Sequence, residues 1–513
     1  MTPAGQDAAG RLEKALSRTA NMHVDGESDG RVLPAKYPNK SEQAPAEGME
    51  GRRPTKENIG QATPPRTQSR TSELSDLHGV REAARRDKRT RFTALLHHVT
   101  PELLRDSYYA LKRDAAPGVD GLTWQEYGMG LDDKLADLHR RIHRGTYRAQ
   151  PSKRAYIPKT DGRQRPLGIA ALEDKVVQQA VVMVLNQIYE EDFLGFSYGF
   201  RPGRSPHHAL DALWVGIIRK KVNWILDADV RGFFDNLSHE WMVKFIEHRV
   251  ADRRILRLIR KWLRAGISEE GEWAKTDVGT PQGAVVSPLL ANIYLHYVFD
   301  LWVRHWRKHH ATGDVIVVRY ADDAVVGFEY QADAERFLEE WKGRLQKFGL
   351  ELHPDKTRLI EFGRHAAEHR KQQGEGKPEV FDFLGFRHMC GKTRKTGRFI
   401  VKRKTIPKRL AAKLSELKGE LRQRWHQPVV EVGQWLRSVV QGYFNYHAVP
   451  GNMDSLNSFR AQLIWRWYRA LRRRSQRTRM TWERFWTLVD RWVPSAKILH
   501  PHPNLRFDAR YPR

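Results

Sequence analysis

The run Arg319-Tyr320-Ala321-Asp322-Asp323-Ala324-Val325-Val326 constrains this chain more than any other segment. Two adjacent carboxylates lie between β-branched apolar runs, Val315-Ile316-Val317-Val318 before and Val325-Val326 after. Such runs read as strands with buried flanks, so the acids belong at the tip of a hairpin. Paired carboxylates presented there are an oxygen seat for a hard divalent cation. Aspartate also favours turns for local reasons, because its side chain bonds nearby backbone. The pair alone therefore does not separate a metal seat from a turn; other segments have to.

Charge narrows the choice of partner. Among 513 residues, 89 Lys and Arg stand against 61 Asp and Glu, a net +28. An excess of that size points to a polyanion, most directly nucleic acid. The 16 Trp and 16 Tyr residues can stack on bases or fill cores. A single cysteine, Cys390, excludes an internal disulfide and a cysteine-based zinc site. No apolar run is long enough to span a bilayer and no signal-peptide core is present. A cytosolic or nucleoid-associated protein with no membrane partner is expected.

Residues 1–80 read as a disordered basic and polar leader, with Tyr37 its only aromatic ring. Order is expected from about Val80. Ala116-Pro117-Gly118-Val119-Asp120-Gly121 is a turn cluster, and residues 174–189 form an amphipathic helix with Val176, Val177, Ala180, Val181, Val184, Leu185 and Ile188 inward. A strand spans Trp224 to Val230, and a further apolar segment runs from Phe381 to Phe386. Mixed strands and helices predict an α+β core to about residue 395, followed by a helical remainder.

Three further segments carry chemistry. Asp229 ends the Trp224–Val230 strand and leads into Arg231-Gly232-Phe233-Phe234-Asp235. Together with Asp322 and Asp323 it can form a two-metal site, in which Mg²⁺ ions about 4 Å apart serve an in-line phosphoryl displacement. The turn from Tyr156 to Ile169 carries Lys159, Arg163 and Arg165, cations able to clamp a triphosphate. Thr280-Pro281-Gln282-Gly283 can approach a nucleotide closely, and the helix after it is expected to open with Ser287 as N-cap and Pro288 at its first position.

In combination and order these segments resemble the group II intron-encoded reverse transcriptase/maturase family. The matching residues are Pro158-Lys159-Thr160-Asp161-Gly162 with Arg165-Pro166-Leu167-Gly168-Ile169, Ser197 to Ser205, Asp229 to Asp235, Thr280-Pro281-Gln282-Gly283 with Ser287-Pro288-Leu289-Leu290, Tyr320-Ala321-Asp322-Asp323, and Phe383-Leu384-Gly385-Phe386. The resemblance covers about residues 85–513. It implies a right-hand polymerase fold, with fingers and palm over 85–395, an all-α thumb or maturase region over 396–455, and a basic nucleic-acid-binding region over 456–513.

By the same resemblance Asp229, Asp322 and Asp323 are the catalytic Mg²⁺ ligands. Lys159 and Arg165 hold the triphosphate, Gln282 lies beside the incoming nucleotide, and Lys356 lies toward the pyrophosphate. Phe234 sits under the sugar, where its ring would exclude a 2′-hydroxyl and select deoxynucleotides. Phe383 to Phe386 would position the primer. Relatives usually carry a bulky aromatic ring directly after the paired aspartates, where this chain has Ala324.

The implied activity is RNA-directed DNA polymerisation, with group II intron RNA, template RNA, primer or target DNA and deoxynucleotide triphosphates as partners. Seven arginines between Arg466 and Arg479, including Arg466, Arg469, Arg472, Arg473 and Arg474, are expected to grip RNA or DNA. The cysteine-stiffened endonuclease of many relatives is not expected, so the primer would come from an existing 3′ end. Two other readings remain: a splicing factor on a retired polymerase site, and a polymerase of the same fold in phage defence or a diversity-generating element.

Overall fold

The computed structural model describes residues 67–158, 164–269, 272–274, 278–280, 282–474 and 480–511. Two compact units divide them, one ending at Gly363 and one beginning at Arg364. The helix Thr67–Arg86 already occupies the end of the stretch read as a disordered leader, and the earlier part of that leader lies outside the described residues. Val80 and Ala84 on this helix are buried, which gives it a reason to form ahead of the expected start.

The first unit contains two four-stranded sheets. One has strands β1 (Ser152–Pro158), β2 (Gln164–Ile169), β4 (Ile267–Glu269) and β5 (Glu272–Ala274) in the order β2-β1-β4-β5. The other has β3 (Trp224–Ala228), β6 (Val315–Tyr320), β7 (Asp323–Phe328) and β8 (Arg358–Glu361) in the order β6-β7-β3-β8. All three pairings of this second sheet are antiparallel. Val317, Val318, Val325 and Val326 are buried, as expected of strands covered on both faces.

Helix Leu172–Asp192 buries Val176, Val177, Ala180, Val181, Val184, Leu185 and Ile188 in the same core as β3, β6 and β7. Its start is pinned by the Ala116–Gly121 turn. Lys175 Nζ donates to the Ala116 carbonyl at 2.8 Å, and Asp120 accepts from the Leu172 amide at 3.2 Å. Helix Ser287–Leu295 departs from expectation at its first residue. Ser287 lies inside the helix, the cap position is Val286 with no side-chain cap, and the Val286 amide instead donates to Gln178 Oε1 at 3.3 Å.

In the second unit β9 (Phe381–Phe383), β10 (Phe386–Lys392) and β11 (Phe399–Thr405) form a sheet in the order β11-β10-β9. Phe383 pairs with Phe386, so Leu384 and Gly385 make a two-residue turn, both at positive φ (45° and 82°). Tyr446 Oη donates to the Leu384 carbonyl at 2.9 Å and holds that turn against helix Val429–His447.

The change of unit thus falls ahead of residue 395, because the β9–β11 sheet is tied to the helices after it. The Thr405 amide donates to Asn452 Oδ1 at 2.9 Å, and Asn452 Nδ2 donates to Thr405 Oγ1 at 2.8 Å. Nor is there a core boundary at 455/456: Leu414, Leu436 and Phe444 share one apolar cluster with Phe459, Leu463 and Trp467. Among the described residues no helix is long and apolar enough to cross a membrane.

Candidate active site

Tyr320 pairs with Asp323 across the β6–β7 hairpin, leaving Ala321 and Asp322 as its two-residue turn. Asp322 is half-buried and Asp323, the first residue of β7, is exposed. On the other side of β7, Ala228 of β3 pairs with Ala324. One step further along the same antiparallel register, Asp229 lies level with Asp323. The three carboxylates expected to act together therefore come to one end of one sheet. The Ala228–Ala324 pair beneath them is buried and small on both strands.

The turn is held in an unfavourable backbone state. Ala321 has φ 54°, in the left-handed region that a Cβ disfavours by about 1 to 2 kcal/mol. Its carbonyl accepts a 2.9 Å hydrogen bond from Arg319 Nη1. Arg319 is 1 % exposed, and its guanidinium grips the Asp300 carboxylate with two bonds, Nε to Oδ1 at 2.7 Å and Nη2 to Oδ2 at 2.6 Å. The same group donates to Asn292 Oδ1 at 3.0 Å and Ser197 Oγ at 2.7 Å.

Segment Ser197 to Arg201 packs on this turn from outside the sheet. Its backbone bonds the edge of β6, with Tyr198 N–H on the Arg319 carbonyl at 2.8 Å and Arg319 N–H on the Phe196 carbonyl at 2.9 Å. Asn292 Nδ2 donates to the Gly199 carbonyl at 2.7 Å. A Cβ on Gly199 would lie 2.2 Å from the Ala321 nitrogen, so only glycine fits there. Asp300 closes a five-residue π turn, His296–Asp300, between two α-helical stretches.

These supports were missed in the sequence, although a signal existed. Arg319 interrupts an otherwise apolar strand, and Asn292 and Asp300 interrupt the apolar run Leu289 to Trp302. Charged groups at buried positions imply partners.

Asp229 is 24 % exposed, and Lys356 Nζ lies 2.6 Å from its Oδ2. The His353 amide donates to the Asp229 carbonyl at 2.8 Å, so the segment bearing Lys356 is fastened beside Asp229 by backbone. Among the described residues no three His, Cys, Asp or Glu side chains already converge as a metal seat. The donor set nevertheless suits a hard divalent cation, being made of carboxylate oxygens on adjoining strands, one of which already draws a cation.

The expected nucleotide-binding residues divide. Arg165 is exposed on β2, paired with Ile157 of β1. Lys159 lies outside the described residues, as do Arg163 and Pro281. The Gly168 amide donates to the Gln282 carbonyl at 2.7 Å, which ties β2 to the Gln282 turn. The Thr280 amide donates to the Phe234 carbonyl at 2.8 Å, and a Cβ on Gly279 would meet that carbonyl oxygen at 2.9 Å. Arg165, Gln282 and Phe234 are thus borne by segments that bond one another, with Phe234 half-buried.

Of the C-terminal arginines, Arg469, Arg472 and Arg473 are exposed. Arg469 and Arg472 lie over the rings of Trp465 and Tyr468. Arg466 back-bonds to the Gln462 carbonyl at 3.0 Å. Arg474 does not present its guanidinium as a free grip, because it bonds the carbonyls of Trp425, at 2.7 Å, and Gln427. Arg477 and Arg479 lie outside the described residues.

Comparison with known proteins defines the class. The model of the family described as reverse transcriptase (RNA-dependent DNA polymerase) matches residues 157–388, which span β2 to β9 and so include Asp229, the Gln282 turn and the Asp322–Asp323 hairpin. Protein YkfC of Escherichia coli (strain K12) is 33 % identical over 332 residues, 56 % of this chain and 87 % of that protein. The group II intron-encoded protein LtrA of Lactococcus lactis subsp. cremoris is 36 % identical over 210 residues, 40 % of this chain and 34 % of that protein. An uncharacterized 91 kDa protein in the cob intron of Schizosaccharomyces pombe is 39 % identical over 171 residues, 33 % of this chain and 21 % of that protein. The chain belongs to the reverse transcriptase family, on the branch of the group II intron-encoded proteins, and its class of activity is RNA-directed DNA polymerisation.

Proposed function

We propose that this protein copies group II intron RNA into DNA from a primer 3′-hydroxyl, using deoxynucleotide triphosphates, and binds the intron RNA to assist its splicing and mobility. The observation that carries the polymerase site is the register that brings Asp229 level with Asp323 beside the Asp322 turn.

In this reading Asp229, Asp322 and Asp323 hold Mg²⁺. When bound, the ions supply the charge neutralisation that lets an oxygen nucleophile attack a polyphosphate. The carboxylates concentrate negative charge at one sheet end, and the Arg319 network keeps the turn from relaxing. Lys356 balances the Asp229 carboxylate and lies where its ammonium would face the leaving phosphates. Arg165 and Lys159 clamp the triphosphate, Gln282 lines the nucleotide, and the Phe234 ring occupies the space that a 2′-hydroxyl needs. Residues through Gly363 act as fingers and palm, and the helical unit acts as thumb. Arg469, Arg472 and Arg473 contribute phosphate contacts.

Primer extension on an RNA template with Mg²⁺ and deoxynucleotides, comparing wild type with Asp322→Ala, tests this. Extension by the wild type alone supports it. If neither extends while both bind structured RNA equally, the polymerase reading is lost and the splicing-factor reading replaces it.

A further inference from the structure

An open cleft of about 1000 Å³ lies in the first unit, walled by helix Arg253–Arg264, by the segment Arg148–Pro151 and by Arg91. Its lining shares no residue with the carboxylate turn or the supports of that turn. Seven of its lining residues are Arg or Lys and one, Glu247, is a carboxylate. Glu247 is already engaged, 2.8 Å from Arg260. At 1.5 Å rise per residue, Arg253 and Arg264 stand about 16 Å apart along the helix axis.

The sequence of this helix explains the crowding. Ile255, Leu258, Ile259 and Trp262 face the core, so arginines at 253, 257, 260 and 264 repeat along the opposite stripe. The cations pressing on one another leave a mark on Lys261. Its ammonium rests on the carbonyls of Gly145 and Tyr147, and its pKa is lowered by burial and then by Arg257 and Arg148. Like charges brought together on a folded surface repel, and a polyanion relieves that repulsion.

The lining also carries no aromatic ring among the described residues. Grooves for unpaired strands combine cations with rings on which bases stack. Cations without rings fit a ligand whose bases face inward and whose phosphates face out.

We propose that this cleft is a docking site for the sugar-phosphate backbone of a nucleic-acid duplex, separate from the polymerase site and from the C-terminal arginines. The proposal rests on the polymerase reading only for which duplex it serves, a paired part of the RNA the protein carries or a DNA target.

The test is equilibrium binding to a blunt RNA duplex and to a DNA duplex of the same sequence across a salt series. It compares the wild type with Arg253→Gln/Arg257→Gln/Arg264→Gln and with the matching triple Lys variant. Loss of three phosphate contacts should weaken binding by about tenfold or more and flatten the logarithmic salt slope by about 2 to 3. The Lys variant should keep most of both. Extension of a short annealed primer–template should persist in the Gln variant, so failure of wild-type extension would count against the polymerase reading and not against the cleft. Stronger loss on RNA or on DNA identifies the source, and equal loss means that backbone charge alone is read. An unchanged slope on both duplexes overturns the proposal. If the Gln variant fails to fold, phenylglyoxal labelling of the wild type decides. Duplex should protect Arg253, Arg257 and Arg264, and equal labelling with and without duplex overturns the proposal.

Discussion

Replacing Arg319 with Met tests whether the Ala321-Asp322 turn is held from beneath. Arg319 is 1 % exposed and Asp300 0 %, and two bonds of 2.7 and 2.6 Å join them. Removing one partner of such a pair leaves a buried carboxylate uncompensated, at a cost of about 3 to 5 kcal/mol. The freed Ala321 carbonyl, Ser197 hydroxyl and Asn292 amide lose a donor as well. Little other charge is at hand. His296 Nδ1 lies 3.9 Å from Asp300; in the wild type burial, and to a lesser degree Arg319 itself, lower the histidine to about 4 and keep it neutral.

The double change Arg319→Met/Asp300→Leu removes both charges. Replacing a whole buried pair with apolar groups is often close to neutral, so most of the lost stability should return. Polymerisation should not return, because nothing then grips the Ala321 carbonyl in its left-handed turn. Urea unfolding reads the stability, and primer extension at a temperature where all three proteins are folded reads the turn. A single variant within about 1 kcal/mol of wild type would refute the reasoning, since a buried pair broken on one side costs several times that. Full extension by the double variant would equally refute the positioning role of Arg319.

Other outcomes follow from the same geometry. Gly199→Ala sets a Cβ 2.2 Å from the Ala321 nitrogen, so it should destabilise by about 1 to 3 kcal/mol and abolish extension, read by thermal melting and primer extension. Phe234→Val should raise ribonucleotide incorporation relative to deoxynucleotide in a competition assay while leaving RNA binding unchanged. Acid should weaken the second unit in particular. Burial lowers His388 and His447 to about 3 and His500 to about 4, so these rings stay neutral in the folded protein while the unfolded chain takes up protons near its ordinary value of 6.5. Their contribution is complete above pH 6.5 and is lost progressively as pH falls from there toward 4 and 3, at up to about 1.4 kcal/mol per pKa unit for each group. Melting of the isolated wild-type chain at pH 7 and pH 5 checks this, and an equal or higher melting temperature at pH 5 counts against it.

What the sequence discloses about this protein depends on how local the cause is. The β6–β7 hairpin was legible because β-branched runs and a turn of small and acidic residues act over a dozen positions. That Asp229 comes level with Asp323 at one end of the same sheet was not legible, and residue chemistry alone suggested grouping it with Asp322 and Asp323. The register that aligns them is a property of the β3–β7 pair and cannot be read from either strand alone. Ser287 was misplaced as a cap because Gln178, more than a hundred positions earlier, supplies the bond to the helix start. The boundary at Gly363 was missed for the same reason, since Asn452 ties β11 to helices far along the chain.

The arginines teach the sharper lesson. Counted along the chain, Arg466 to Arg474 and Arg253 to Arg264 look alike, dense in charge and periodic. Fold separates them by where each guanidinium can go. Arg474 and Arg466 are absorbed by carbonyls of their own unit, whereas the stripe at 253, 257 and 264 opens on a cleft with one carboxylate already engaged by Arg260. A cation satisfied by backbone gains little from a phosphate, and a cation crowded by its own kind gains much. If the C-terminal arginines dominate duplex binding after all, changing Arg469, Arg472 and Arg473 to Gln should flatten the salt slope more than the same change at Arg253, Arg257 and Arg264. We expect the reverse order, because Arg253, Arg257 and Arg264 line one cleft together with Arg148.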